Sequence, residues 1–179
     1  MEQVFAPWRI DWVERDDKNA EFDDCVLCAL PDAGEDRERR VLARTDRAYL
    51  LLNNYPYSPG HAMVVPHAHT GDLRDLDEET TLAMARLRNR LLDALETAMA
   101  PDGFNVGLNL GGGAAGGSID DHVHTHVVPR WEGDTNFMPV LSDTQVIVEA
   151  LEDTYDRLHE ALTAQDGATT PDDDAAVEF

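Results

Sequence analysis

Five short apolar runs and two amphipathic ones divide the chain. Val41-Leu42-Ala43-Arg44 and Ala48-Tyr49-Leu50-Leu51-Leu52-Asn53 predict two strands, with Thr45-Asp46-Arg47 as the turn between them. The second run is almost wholly apolar, so burial of both faces places it centrally in a sheet. Asn54-Tyr55-Pro56-Tyr57-Ser58-Pro59-Gly60 is turn-rich, and His61-Ala62-Met63-Val64-Val65-Pro66 predicts a third strand that ends at its proline. Leu87, Leu91, Leu95 and Met99 then repeat every four residues, which marks one face of a helix. Asp77 caps that helix, Glu78 and Glu79 suit its first turn, and Pro101-Asp102-Gly103 stops it. Phe104-Asn105-Val106-Gly107-Leu108-Asn109 predicts a fourth strand, and His122 to Arg130 a fifth. Ser142 with Gln145 makes a capping box for a last helix with the stripe Ile147, Leu151, Leu158 and Leu162. The order β-β-β-α-β-β-α predicts an α+β fold: a mainly antiparallel five-stranded sheet with two main helices.

The length of 179 residues suits one domain with a sizeable core. Residues 1–24 form an aromatic segment in which Trp8 and Trp12 are placed to dock, onto the domain itself or onto a second subunit. Residues 25–163 hold the periodic elements. Residues 164–179 are acidic and small, a composition that predicts a disordered tail. No run of about 18 apolar residues and no basic–apolar leader occurs, so a soluble cytoplasmic protein without a membrane partner is expected.

Charge changes the picture further. Fourteen basic residues against 36 acidic ones give a formal charge of −22, and Lys18 is the single lysine. The acidic excess runs from Asp11 to Glu178, which fits a hydrated surface adapted to concentrated salt, with an acidic partner-binding surface as the alternative. A nucleic-acid partner is excluded as an expectation, since such proteins present a basic footprint.

The candidate chemistry is concentrated in His122-Val123-His124-Thr125-His126-Val127-Val128-Pro129-Arg130. On a strand the three histidines share one face, spaced by roughly 6.6 Å, with Val123, Thr125 and Val127 turned towards the core. Asn109-Leu110-Gly111-Gly112-Gly113-Ala114-Ala115-Gly116-Gly117-Ser118 precedes them. Alone, such a glycine run is a linker or hairpin loop; directly before a histidine strand it reads as a backbone nest for phosphate. Histidines at i and i+2 also suit an open catalytic zinc site, so a metallohydrolase stands as a second class. Cys25 and Cys28 are too few for a disulfide framework; their C-x-x-C spacing leaves metal binding, redox chemistry or two buried thiols open. His61 is equally a hydrogen-bonded strand histidine or a site residue, and His159, among acids, reads as a solvated surface residue.

His122-x-His124-x-His126-Val127-Val128, Pro59-Gly60-His61-Ala62-Met63-Val64-Val65-Pro66, Asn53 and Pro129-Arg130 together resemble the histidine-triad (HIT) family of nucleotide hydrolases and transferases. The resemblance runs from about Cys25 to Leu162. Ala6-Pro7-Trp8-Arg9, the C-x-x-C, and Val127 to Trp131 with Asp134 to Met138 are most similar to the branch of diadenosine tetraphosphate (Ap4A) phosphorylases and hydrolases. The resemblance implies that His124 attacks the α-phosphorus and forms a covalent nucleotidyl–imidazole intermediate. It further implies that His126 and the Gly117-Ser118 backbone stabilise phosphoryl charge, that Asn53 holds the ribose hydroxyls, and that Asn109 lies near the phosphates. By the same likeness Cys25, Cys28, His69 and His122 bind a structural zinc, and the chain forms a homodimer. His67 departs from the lysine or arginine that many relatives carry there. A nucleoside phosphoramidase of the same family and a non-catalytic nucleotide-binding module remain the alternatives.

Overall fold

The structure is a computed structural model and describes residues 25–115, 119–134 and 149–179. Among these residues six strands form one sheet: β1 (Val41–Arg44), β2 (Ala48–Leu52), β3 (Ala62–Pro66), β4 (Gly103–Gly107), β5 (Thr125–Arg130) and β6 (Val177–Glu178). Their order is β4-β5-β3-β2-β1-β6, antiparallel throughout except for the parallel β1–β6 pair. The apolar run of β2 is buried along its whole length, because the sheet is covered on both faces. On one face Leu50, Leu52 and Val64 pack with Leu87, Leu91 and Leu95 of the helix Glu78–Met99 and Leu158 and Leu162 of the helix Leu151–Thr163. On the other, Tyr49, Leu51, Met63 and Val65 pack with Val41, Leu27 and Ala176. The period of two within β2 sends Tyr49 and Leu51 to one layer and Leu50 and Leu52 to the other.

Asp77 caps the long helix as expected, accepting from Thr80 N–H at 2.7 Å. The proposed capping box Ser142/Gln145, the stripe residue Ile147 and the aromatic N-terminal segment lie outside the described residues. No helix among the described residues is long and apolar enough to cross a membrane.

Four expectations need correction. First, the sheet has six strands instead of five. Second, the extra strand comes from residues 164–179, expected to be a disordered tail: Ala176 and Val177 are buried, and β6 pairs with β1. Composition misses this because specific contacts hold the segment: Ala176 N–H donates to Asp36 Oδ2 (2.8 Å), Phe179 N–H to Arg44 O (3.2 Å), and Arg90 lies over the Phe179 ring. Third, β5 begins at Thr125, so His122 and His124 precede the strand. Val123 N–H donates to Thr70 O (2.6 Å) and draws that stretch off the ladder. His159 also differs from a solvated residue: it stacks on Tyr155 and its Nε2 lies 2.8 Å from Ala175 O.

The β2–β3 turn sets where the chain enters β3. Gly60 has φ +77°, and a Cβ there would stand 2.7 Å from Met99 Sδ and 2.8 Å from Leu95 Cδ2. Gly60→Ala therefore combines left-handed strain with overpacking and is expected to lower stability by about 2–3 kcal/mol, read as a shifted urea midpoint.

Candidate active site and metal cluster

Antiparallel pairing of β3 with β5 sets Met63 opposite His126, and β4 sets Gly107 on its other side. Residues 122–126 thus run along the end of β3, and the sequence-distant histidines 61, 69 and 122–126 converge. His124 and His126 rings meet edge-on at 4.9 Å, and His61 and His126 rings at 5.1 Å. The hydrogen bond that the chemistry asks of a nucleophilic imidazole is present: His124 Nδ1 lies 2.8 Å from the His122 carbonyl oxygen. A carbonyl accepts only, so Nδ1 carries the proton and the neutral ring keeps its lone pair on Nε2.

His61, which sequence reasoning left undecided, is fully buried and joined to this array. Its Nε2 lies 3.0 Å from His126 Nδ1, and the Tyr57 ring stacks on it at 4.9 Å. The signal available in the sequence was the rigid Pro-x-x-Pro-Gly turn before it, which fixes where a histidine opening β3 must stand. Asn53, buried at the end of β2, accepts from Tyr55 N–H through Oδ1 at 2.8 Å, so the group it can offer a ribose oxygen is Nδ2. Asn109 is exposed at the start of the glycine loop, and Gly117 and Ser118 lie outside the described residues.

His122 points the other way. Its Nδ1 lies 3.4 Å from both Cys25 Sγ and Cys28 Sγ, and its Nε2 donates to Pro66 O at 2.9 Å. His69 Nδ1 stands 3.2 Å from Cys28 Sγ. One donor atom from each of Cys25, Cys28, His69 and His122 lies within 4.8 Å of every other, compatible with a metal ion. Burial lowers the His122 pKa, which keeps the imidazole neutral and able to ligate. The cysteines reach it on the one-turn helix Val26–Ala29, whose Leu27 is buried and whose Leu27 carbonyl accepts from the Tyr49 hydroxyl at 2.6 Å. Burial, and then the neighbouring Cys25 and Cys28, push the Tyr49 phenol up, so it stays a donor. His124 is not among these donors.

His67, at the position of a basic residue in many relatives, stacks on Tyr49 and sets Nε2 3.0 Å from Thr45 O, away from the histidine array.

The HIT domain matches residues 35–133 of this chain. A Mycobacterium tuberculosis protein named AP-4-A phosphorylase is 36% identical over 159 residues, covering 86% of this chain and 80% of that one. Adenylylsulfatase HINT3 of Arabidopsis thaliana is 32% identical over 111 residues, covering 62% of this chain and 54% of its own. Among solved structures, a zinc-bound histidine triad family protein from Mycobacterium smegmatis superposes with a TM-score of 0.63 at 31% identity, covering 78% of this chain and 94% of that one. With the converging histidines, these likenesses establish that the chain belongs to the histidine-triad (HIT) family of nucleotide-processing proteins.

Proposed function

We propose that the protein cleaves dinucleoside polyphosphates such as Ap4A through a covalent nucleotidyl-histidine intermediate on His124. The observation that carries this reading is the 2.8 Å bond from His124 Nδ1 to the His122 carbonyl, which leaves the lone pair on Nε2. Nε2 attacks the α-phosphorus, the bond from phosphorus to the bridging oxygen breaks, and its electron pair departs on the leaving phosphate. His126 donates a hydrogen bond to the oxygens on which charge develops, together with the backbone at Gly117 and Ser118. Asn53 takes the ribose, and Asn109 stands towards the phosphates. Water or inorganic phosphate then attacks the same phosphorus and frees the histidine.

The four-residue cluster fits a structural zinc: Cys₂His₂ fills a tetrahedral shell, with no place kept for substrate. When bound, the ion supplies a cross-link among the Val26–Ala29 turn, the segment after β3 and the approach to β5. The metallohydrolase reading needs His124 as a ligand, and among the described residues the clustered donors are Cys25, Cys28, His69 and His122. The likeness to AP-4-A phosphorylase supports phosphorolysis as the second step. A homodimer in the cytoplasm, working in concentrated salt, completes the proposal. Among the described residues β4 ends the sheet, with Val106 on it and Leu110 after it exposed, which supports self-association, and the charge of −22 supports salt adaptation.

Incubation with Ap4A, with and without inorganic phosphate and at low and molar salt, tests the reading by product identity. The expected result is ADP plus ATP only when phosphate is present, with rates rising towards about 1 M salt, where screening shrinks to roughly 3 Å. AMP plus ATP identifies a hydrolase instead. Nucleotide binding with no product in any condition overturns catalysis and leaves the non-catalytic module.

A further inference from the structure

We propose, resting on the reading of Cys25, Cys28, His69 and His122 as a zinc site, that residues 172–179 act as a salt-dependent strap over the segment that carries the two cysteines. Docked in concentrated salt, the strap holds that segment in its metal-binding conformation. In dilute salt it comes away from β1, and the metal is retained less firmly.

The strap touches the cysteine-bearing segment directly. Ala176 N–H donates to Asp36 Oδ2 at 2.8 Å, and Arg37 N–H donates to Asp174 O at 3.2 Å. The Arg37 guanidinium also pairs with the Asp174 carboxylate at 3.7 Å. Short turns join these residues to the metal cluster: the helix Val26–Ala29 runs into the 3-10 turn Leu30–Asp32, and the helical turn Asp36–Arg39 follows. Ala176 is buried in the same apolar layer as Leu27, which stands between the two cysteines, and Cys25, Val26 and Leu30 pack against that layer. One end of the segment is thus gripped by the strap and the other by the ligand cluster.

What holds the strap is slight. Its buried apolar side chains are Ala176 and Val177, Phe179 N–H donates to Arg44 O at 3.2 Å, and the Arg90 guanidinium lies 3.9 Å from the Phe179 ring centroid. Thr169 and Glu178 exchange backbone hydrogen bonds at 3.0 and 2.7 Å, and His159 Nε2 donates to Ala175 O at 2.8 Å. A two-residue strand held in this way opens at far lower cost than the centre of the sheet, where β2 is buried throughout.

Charge works against docking. Asp172, Asp173, Asp174 and Glu178 lie in the strap without a lysine or arginine, and the whole chain carries −22. At about 0.1 M salt the screening length is roughly 10 Å, so these carboxylates feel the acidic surface around them. At about 1 M it is roughly 3 Å, and that repulsion is gone. The attractions survive better. Asp36 is 9% exposed, so its contacts with Arg44 and Ala176 N–H are screened less than exposed ones. The exposed Arg37–Asp174 pair does weaken with salt, but such pairs contribute little. Burial of Ala176 and Val177 is not electrostatic at all. Salt therefore shifts the balance towards the docked strand.

The test follows amide hydrogen exchange of the zinc-loaded full chain as KCl is lowered from about 1 M to about 0.1 M. The amides of Ala176, Glu178 and Phe179 should lose protection by about tenfold or more at salt concentrations where those of β2 are unchanged. Over the same range, zinc transfer to a chromogenic chelator should accelerate by about tenfold, in step with the opening. The double variant Asp173→Asn/Glu178→Gln neutralises two carboxylates that make none of the contacts above, and it should move both transitions to lower salt. Phe179→Ala removes the ring under Arg90 and should speed zinc transfer even at about 1 M salt. Loss of protection by strap and β2 together overturns the inference, as does a strap still protected at about 0.1 M or zinc transfer that ignores its opening. If the variants do not fold, the wild-type exchange and transfer still decide. Failure of the zinc reading looks different: the strap still opens first, and no zinc is bound at any salt.

Discussion

His124→Ala is expected to remove turnover almost completely. Loss of a covalent nucleophile in a well-organised site costs on the order of 10⁶-fold in kcat, and nothing in this array offers a substitute. His126 presents its Nδ1 to His61, and His122 turns both ring nitrogens away from substrate, one to Pro66 O and one to the cysteines. Nucleotide affinity should change far less, because Asn53 and the glycine loop are untouched. The decisive measurement is a rapid acid-free quench followed by intact-mass analysis. Wild-type protein should gain one nucleotidyl group, lost again on mild acid treatment, and the variant should gain none. Metal content should be equal in the two, since His124 is not among the clustered donors. A variant that keeps its turnover, or one that loses its metal, would remove the central assignment.

What the sequence made legible tracks the strength of its periodic signals. β1, β2 and β3 are short apolar runs bounded by turn residues, and the four-residue repeat from Leu87 to Met99 has a cap and a stop; all are where the pattern puts them. β6 was illegible because its reason lies elsewhere in the chain. A two-residue strand among aspartates holds through Asp36, 140 positions away, and through Arg44 and Arg90. Strict alternation described the histidine stretch imperfectly for a related reason. His122 is turned by the cysteines and by Pro66 O, contacts spanning from 56 to 97 positions. The role of His61 was undecidable from one sequence, since the same residue type satisfies a buried strand position or a site. The structure adds its 3.0 Å approach to His126, which no spacing in the sequence shows.

Removing the metal is expected to cost both stability and turnover, and the two losses should travel together. Free ion held at about a hundred times its Kd adds about 2.7 kcal/mol. For a chain of this size that amounts to roughly 5–10 °C in Tm. The catalytic loss arises because the His122 side chain sits in the cluster while its backbone carbonyl holds His124 Nδ1. Without the ion, the His122 side chain is held by hydrogen bonds alone, to Pro66 O and the cysteine sulfurs, and the tautomer of the nucleophile is fixed less firmly. Acid should deepen the effect in the stripped protein. Burial holds the His122 pKa below its ordinary value near 6.5, so the folded state binds fewer protons than the unfolded one. The stability tied to the neutral ring is therefore present above that value and lost as the pH falls through the folded pKa. Cys28→Ser reproduces the defect without a chelator, because Cys28 Sγ faces both His69 and His122. Calorimetry of stripped, zinc-restored and Cys28→Ser proteins, with kcat measured on the same samples, tests the linkage. Full turnover from a stripped protein of lowered Tm would confine the ion to the fold and detach it from the nucleophile.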